Sequence, residues 1–217
     1  MAPIKALNSG SVRLTVVIAL VFVTLVVVGF AYKLNQPRIL NKYELRANGA
    51  VELDTPRKFS DFQLTDHRGQ PFTQENLKGK WTLIFFGFTH CPDICPTTLA
   101  AAARMYAALD TDEQENLQVV LISLDPERDT PEQLAKYVPY FNADFIGASG
   151  NRHVLLKLAT ELNVAYSKVD LENGDYTIDH SGNLVLINPY GHYHGFMKPP
   201  FEEGSMRLAW RSINASF

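Results

Sequence analysis

Cysteine is nearly missing from this 217-residue chain: Cys91 and Cys95 are its only two. All sulfur chemistry is therefore confined to one segment, Thr89-His90-Cys91-Pro92-Asp93-Ile94-Cys95-Pro96. Basic residues form no stripe and do not interleave with aromatics, and the formal charge is −3, so the sequence carries no footprint for nucleic acid. Internal repeats and low-complexity tracts are absent outside a single apolar run. The N-terminus lacks the Arg- and Ser-rich amphipathic pattern of an organelle transit peptide, which favours a bacterial source.

The one long apolar run is Leu14 to Tyr32, 19 residues without a charge. As a helix it would extend ~28 Å at ~1.5 Å per residue, close to the ~30 Å of a bilayer's hydrocarbon core. A secretory signal peptide competes with this reading, because Lys5 and Arg13 form a positive leading region and Gly29-Phe30-Ala31 has the character of a cleavage site. The run exceeds the ~7–15 residues of a signal core, which favours an uncut anchor. No cysteine lies near its end, so a lipid-modified cysteine there is excluded. Charge counting on the flanks would leave the large domain in the cytosol, with Lys33, Arg38, Lys42 and Arg46 on its side, but long domains translocate largely regardless of that count. The expected organisation is a short tail at 1–13, an anchor at 14–32, a polar linker at 33–57 and one globular domain at 58–217.

Within that domain apolar runs alternate with helical patterns, the sign of a parallel sheet with crossover helices. Trp81 to Phe88 is a continuous apolar run, as expected of a central strand covered on both faces. The helix after the cysteines is expected to open with Pro96 as its first residue and to run to about Leu109. Leu117 to Leu124 reads as the next strand, and Thr130-Pro131-Glu132-Gln133 as a helix start with Gln133 completing a capping box. Phe62 to Thr65 and Pro71 to Thr73 form an opening hairpin. Arg152 to Leu162 is an amphipathic helix, and Val164 to Val169 with Tyr176 to Asp179 flank the turn Asn173-Gly174. A strand at Asn183 to Ile187 and a closing helix at Phe201 to Ile213 follow. This is the element order of the thioredoxin fold, so the expected fold class is α/β, thioredoxin-like, with an N-terminal single transmembrane helix.

Two thiols at this spacing close a disulfide, bind a soft metal, or supply a reactive thiolate with a resolving partner. Packing alone explains them poorly, because the proline after each cysteine breaks regular structure and places both thiols in a loop. Ligands of open α/β sheets gather at the carboxyl ends of the strands, where one strand is expected to run into Cys91 and another into Asp125. Cys95, immediately ahead of the expected helix, should gain thiolate character from the helix dipole.

A third group decides between metal and disulfide chemistry. Thioredoxin-like oxidoreductases place a cis-proline before the strand that passes the cysteines; around Ser181 to Asn183 this chain has none, and Asp179-His180-Ser181-Gly182 stands there instead. His180 is thus expected beside the thiols rather than as an inert strand-end residue. Two thiolates and one imidazole form a soft three-ligand set suited to Cu(I), which zinc also accepts. Asp125 is mostly a strand end, with a share in adjusting the site or docking a partner. His90 is expected to point away from Cys91, His67 and His153 to lie on the surface, and His192 with His194 to alternate along a solvent-exposed edge strand. A thiol-disulfide reductase and a peroxidase on the same fold are the competing classes, and the missing cis-proline counts against the first.

Three blocks in order, Gly87-Phe88-Thr89-His90-Cys91-Pro92-Asp93-Ile94-Cys95-Pro96, Asp125-Pro126-Glu127-Arg128-Asp129-Thr130-Pro131 and Tyr176-Thr177-Ile178-Asp179-His180-Ser181, resemble the Sco (SenC-type) proteins. These are membrane-anchored copper chaperones for cytochrome c oxidase assembly. The resemblance spans most of Asp61 to Leu208. It implies a thioredoxin fold facing the bacterial periplasm or the mitochondrial intermembrane space, here a single-pass protein of the bacterial inner membrane with a periplasmic domain. It implies Cys91, Cys95 and His180 as ligands of one copper, as Cu(I) and as Cu(II). The implied recipient is the binuclear CuA centre of oxidase subunit II, and a copper donor protein is the implied source. The implied role is that of a chaperone and not an enzyme, although family members are also credited with reducing the recipient's cysteines through the same Cys91–Cys95 pair.

Overall fold

The computed structural model describes residues 9–34, 38–172 and 174–217. Lys5, with the start of the expected tail, and Asn173 of the expected turn lie outside the described residues. The chain divides into two units, one up to Arg38 and one from Ile39 to Phe217.

Among the described residues of the first unit, the helix α1 (Ser9–Leu34) contains a stretch, Val12–Lys33, long and apolar enough to cross a membrane. Its described side chains are exposed on every side, with no polar stripe, the pattern of a helix suited to lipid rather than to one face of a core.

In the second unit the elements follow in chain order. They begin with α2 (Lys42–Ala47), β1 (Ala50–Arg57), β2 (Gln63–Asp66), β3 (Pro71–Thr73), β4 (Trp81–Gly87) and α3 (Ile94–Ala107). Next come α4 (Thr111–Glu115), β5 (Leu117–Ser123), α5 (Pro131–Tyr137), β6 (Ile146–Ser149) and α6 (Arg152–Glu161). The chain closes with β7 (Tyr166–Asp170), β8 (Tyr176–His180), β9 (Leu184–Ile187), β10 (Tyr193–Met197) and α7 (Glu203–Ser216).

Eight strands form one sheet in the order β1-β10-β9-β4-β5-β6-β2-β3. Only β4, β5 and β6 run parallel; the outer strands pair antiparallel, so the sheet is mixed and thioredoxin-like rather than parallel throughout. Every residue of β4 is buried, as its unbroken apolar run requires. Trp81, Phe85, Phe86 and Trp210 are among the largest buried side chains, and burial of each stabilises the unit by roughly 1.5–3 kcal/mol.

Residues 39–57 do not behave as the expected linker. Leu40, Leu45 and Ala50 are buried, the Leu40 N–H donates to Ser212 Oγ at 3.0 Å, and β1 pairs antiparallel with β10, Ala50 opposite Met197. The polar composition that suggested a linker belongs to the exposed faces of a one-turn helix and an edge strand, each burying few residues. Because β1 covers β10, the strand carrying His194 is interior and not an edge. His194 is buried, its Nε2 lies 3.1 Å from Glu52 Oε1, and Trp81 meets it edge-on at 5.0 Å. Burial holds its pKa below the ordinary histidine value, against the opposing pull of Glu52.

Candidate metal centre

The cysteine loop leaves the carboxyl end of β4, and α3 begins two residues earlier than expected, at Ile94, so Cys95 lies in the first helical turn. Asp93, the residue before the helix, makes no side-chain cap hydrogen bond. A sulfur takes that role: the Cys95 N–H donates to Cys91 Sγ at 3.4 Å. The helix dipole and this amide favour negative charge on Cys91.

This reverses the expected assignment of the thiolate. Cys91 is half-buried and its pKa is lowered, chiefly by the hydrogen bond from the Cys95 thiol, against the opposing effect of burial. Cys95 is fully buried, and the same bond together with burial pushes its pKa up, so its proton stays on. Gly87 makes room for this buried thiol. A Cβ at that position would stand 3.0 Å from Cys95 Sγ and 2.8 Å from Phe85 Cε1.

His180 ends β8, and its Nε2 lies 3.5 Å from Cys95 Sγ. Its Nδ1 is 3.2 Å from the Ser181 carbonyl, which only accepts, so Nδ1 carries the hydrogen and the Nε2 lone pair faces the thiols. Phe85 and Phe88 hold the ring edge-on at 5.7 and 6.1 Å. Ligand atoms of Cys91, Cys95 and His180 all lie within 4.8 Å of one another, so the three residues singled out in the sequence do converge. Two sulfurs and an oriented imidazole are the donors that a soft metal ion selects.

Asp125 is buried and stands one step away from this cluster. Its carboxylate accepts from Arg128 Nε and from the Tyr176 hydroxyl at 2.8 Å, and Tyr176 opens the strand that His180 ends. Asp129, which sequence reasoning passed over, is the strut of the cysteine loop. It accepts from Ser123 Oγ at 2.6 Å, from the Thr89 hydroxyl at 2.6 Å and from the Thr89 N–H at 2.9 Å. His90, Asp125 and Asp129 form a second close group, but both carboxylates are engaged by these donors. His90 turns to Thr89 Oγ1 at 3.1 Å, away from the thiols as expected, and His153 is exposed. His67 is partly buried, and its Nδ1 accepts from the Gly147 N–H at 3.1 Å.

Comparison with known proteins points one way. The SCO1/SenC family model matches residues 51–212. A protein of Stutzerimonas stutzeri is 44% identical over 157 residues, covering 72% of this chain and 77% of that one. The mitochondrial protein SCO2 of Saccharomyces cerevisiae is 39% identical over 162 residues, 74% of this chain and 52% of its own length. Among solved structures, copper-bound ScoI of Arabidopsis thaliana superposes with a TM-score of 0.68 at 34% identity, covering 72% of this chain and 98% of that one.

Proposed function

Because this chain belongs to the SCO1/SenC family, we propose that it is a membrane-anchored copper metallochaperone that supports assembly of the CuA centre of cytochrome c oxidase. The observation that carries this reading is the convergence of Cys91, Cys95 and His180 within 4.8 Å at the carboxyl end of the central strand. Copper is the cargo, one ion per chain, held by the two sulfurs and by His180 Nε2. Oxidase subunit II is the recipient and a separate donor supplies the ion. Helix α1 anchors the chain in the bacterial inner membrane, with residues 39–217 in the periplasm. The half-exposed Cys91 sulfur is where a thiolate of the donor or recipient reaches the site.

One observation favours a second reading, a thiol-disulfide reductase acting on the cysteines of subunit II. The two thiols are unequal, Cys91 poised as the nucleophile and Cys95 as the buried partner that retains its proton. His180 separates the two, because a disulfide needs only the sulfurs. In the full chain in detergent, His180→Ala is expected to keep thiol redox cycling, to weaken copper binding at least tenfold, and to fail in oxidase assembly at ordinary copper supply. Full oxidase activity with copper binding lost would favour the reductase; unchanged copper affinity would remove His180 from the ligand set.

A further inference from the structure

The ligand set is split between two pieces of structure. Cys91 and Cys95 ride on β4 and α3, whereas His180 ends a hairpin, β7 with β8, that forms its own two-stranded sheet. The hairpin closes on itself at its base, Ser181 N–H to the Ala165 carbonyl at 2.9 Å. Where His180 stands relative to the sulfurs therefore rests on what ties the hairpin to the main sheet, beyond the burial of Ile178.

The strongest polar tie is built on Arg128. A turn after β5 folds Arg128 back over Asp125, with the Asp129 N–H donating to the Asp125 carbonyl at 2.9 Å. Arg128 Nε donates to Asp125 Oδ2, and Nη1 reaches across to the Tyr176 carbonyl at 3.2 Å and to Asp175 Oδ1 at 3.1 Å. The Tyr176 hydroxyl returns to the other oxygen of Asp125 at 2.8 Å. The guanidinium also stands 3.7 Å from the centre of the Tyr176 ring and 5.9 Å from that of Phe88, the ring that meets His180 edge-on. One carboxylate, 2% exposed, thus grips the body of the domain and the hairpin together, in surroundings where such bonds are stronger than at the surface.

Tyr176, Ile178 and His180 alternate along β8 and share one face, so a hairpin held at Tyr176 and packed at Ile178 has its His180 end aimed as well. Resting on the copper reading above, we propose that Arg128, clamped between Asp125 and Tyr176, is a positioning residue that sets the approach of His180 to the copper. It touches neither the ion nor the sulfurs; it acts through the strand and through Phe88.

The test uses the full chain in detergent and measures Cu(I) affinity by competition with a chromogenic chelator, with circular dichroism as the check on folding. Arg128→Gln and Tyr176→Phe are each made alone and in combination with His180→Ala. Each is expected to weaken copper binding about tenfold when His180 is present, the low end of what outer partners of a ligand contribute, and to change nothing further when His180 is alanine. The electron paramagnetic resonance spectrum of the Cu(II) form should shift in the single variants only. Tyr176→Phe keeps the ring and loses one hydroxyl, so it carries the test if Arg128→Gln does not fold. Unchanged affinity in Tyr176→Phe, or equal losses with and without His180, would overturn the proposal. Parental affinity in His180→Ala itself would instead strike down the copper reading of His180, a result distinct from failure of the clamp alone.

Discussion

At the scale of single residues, the two cysteines are chemically different although the sequence spells them alike. The cause is position: Cys91 receives an amide and a thiol proton, while Cys95 is fully buried and supplies both. In the reduced apoprotein, iodoacetamide is therefore expected to modify Cys91 and to spare Cys95. The reactive form is the thiolate, and the Cys91 pKa is lowered, so its reaction should persist as pH falls below the ~8.5 of a free cysteine and fade only near its own depressed pKa. Cys95→Ala removes the largest stabilising donor and should move the Cys91 midpoint upward. Peptide mass mapping across a pH series checks this, and a midpoint near that of a free thiol in the parent chain would refute the asymmetry.

At the scale of elements, the boundaries that moved explain the site. Pro96 looked like the first helical residue because proline suits that place, but α3 starts at Ile94 and Pro96 sits two positions further in, still within the turn that has no amide partners to lose. Thr130 caps α5 as expected, accepting from the Gln133 N–H at 3.3 Å, yet Gln133 does not complete the box; its Nε2 points to Thr89 Oγ1 at 3.4 Å, toward the cysteine loop. Strand β1 has the largest consequence, since a domain cut at residue 58 loses the cover of β10. Such a fragment is expected to expose the β10 edge with Tyr193 and Met197, and to lose several kcal/mol of stability or self-associate. Urea unfolding with size-exclusion chromatography, comparing chains that start at residues 39 and 58, decides it; equal midpoints would show that β1 is dispensable.

At the scale of the whole molecule, cargo and fold are linked by mass action. The ligand atoms come from a loop and helix near residue 91 and from a hairpin near residue 180, so an ion that binds all three recognises only the folded chain. Copper at roughly 1,000 times its dissociation constant should add ~4 kcal/mol of stability, seen as a higher Tm in calorimetry, and the gain should vanish in Cys91→Ser or Cys95→Ser. An equal gain in either variant would place the copper elsewhere.

Much of this was legible in the sequence because it depends on local chemistry. A 19-residue uncharged run has the length of a span and an unbroken apolar run must be a buried strand, while the loop expected of both thiols from the proline after each holds for Cys91 but not for Cys95, which lies in the first turn of α3. His180 was legible by its place in the expected element order and by the block Tyr176 to Ser181 that carries the family resemblance, not by any cysteine or second histidine beside it in the chain. The sequence by itself thus determined most of the elements, the turn of chain at the cysteines and the candidate donors, but not α2 and β1, which it read as linker. Tertiary structure alone decided that His180 meets Cys95 across 85 residues, that Cys91 rather than Cys95 bears the charge, that Asp129 braces the loop and that Asp125 serves the hairpin. Each of these is settled by long-range packing and by the sharing of protons between groups brought together only when the sheet closes.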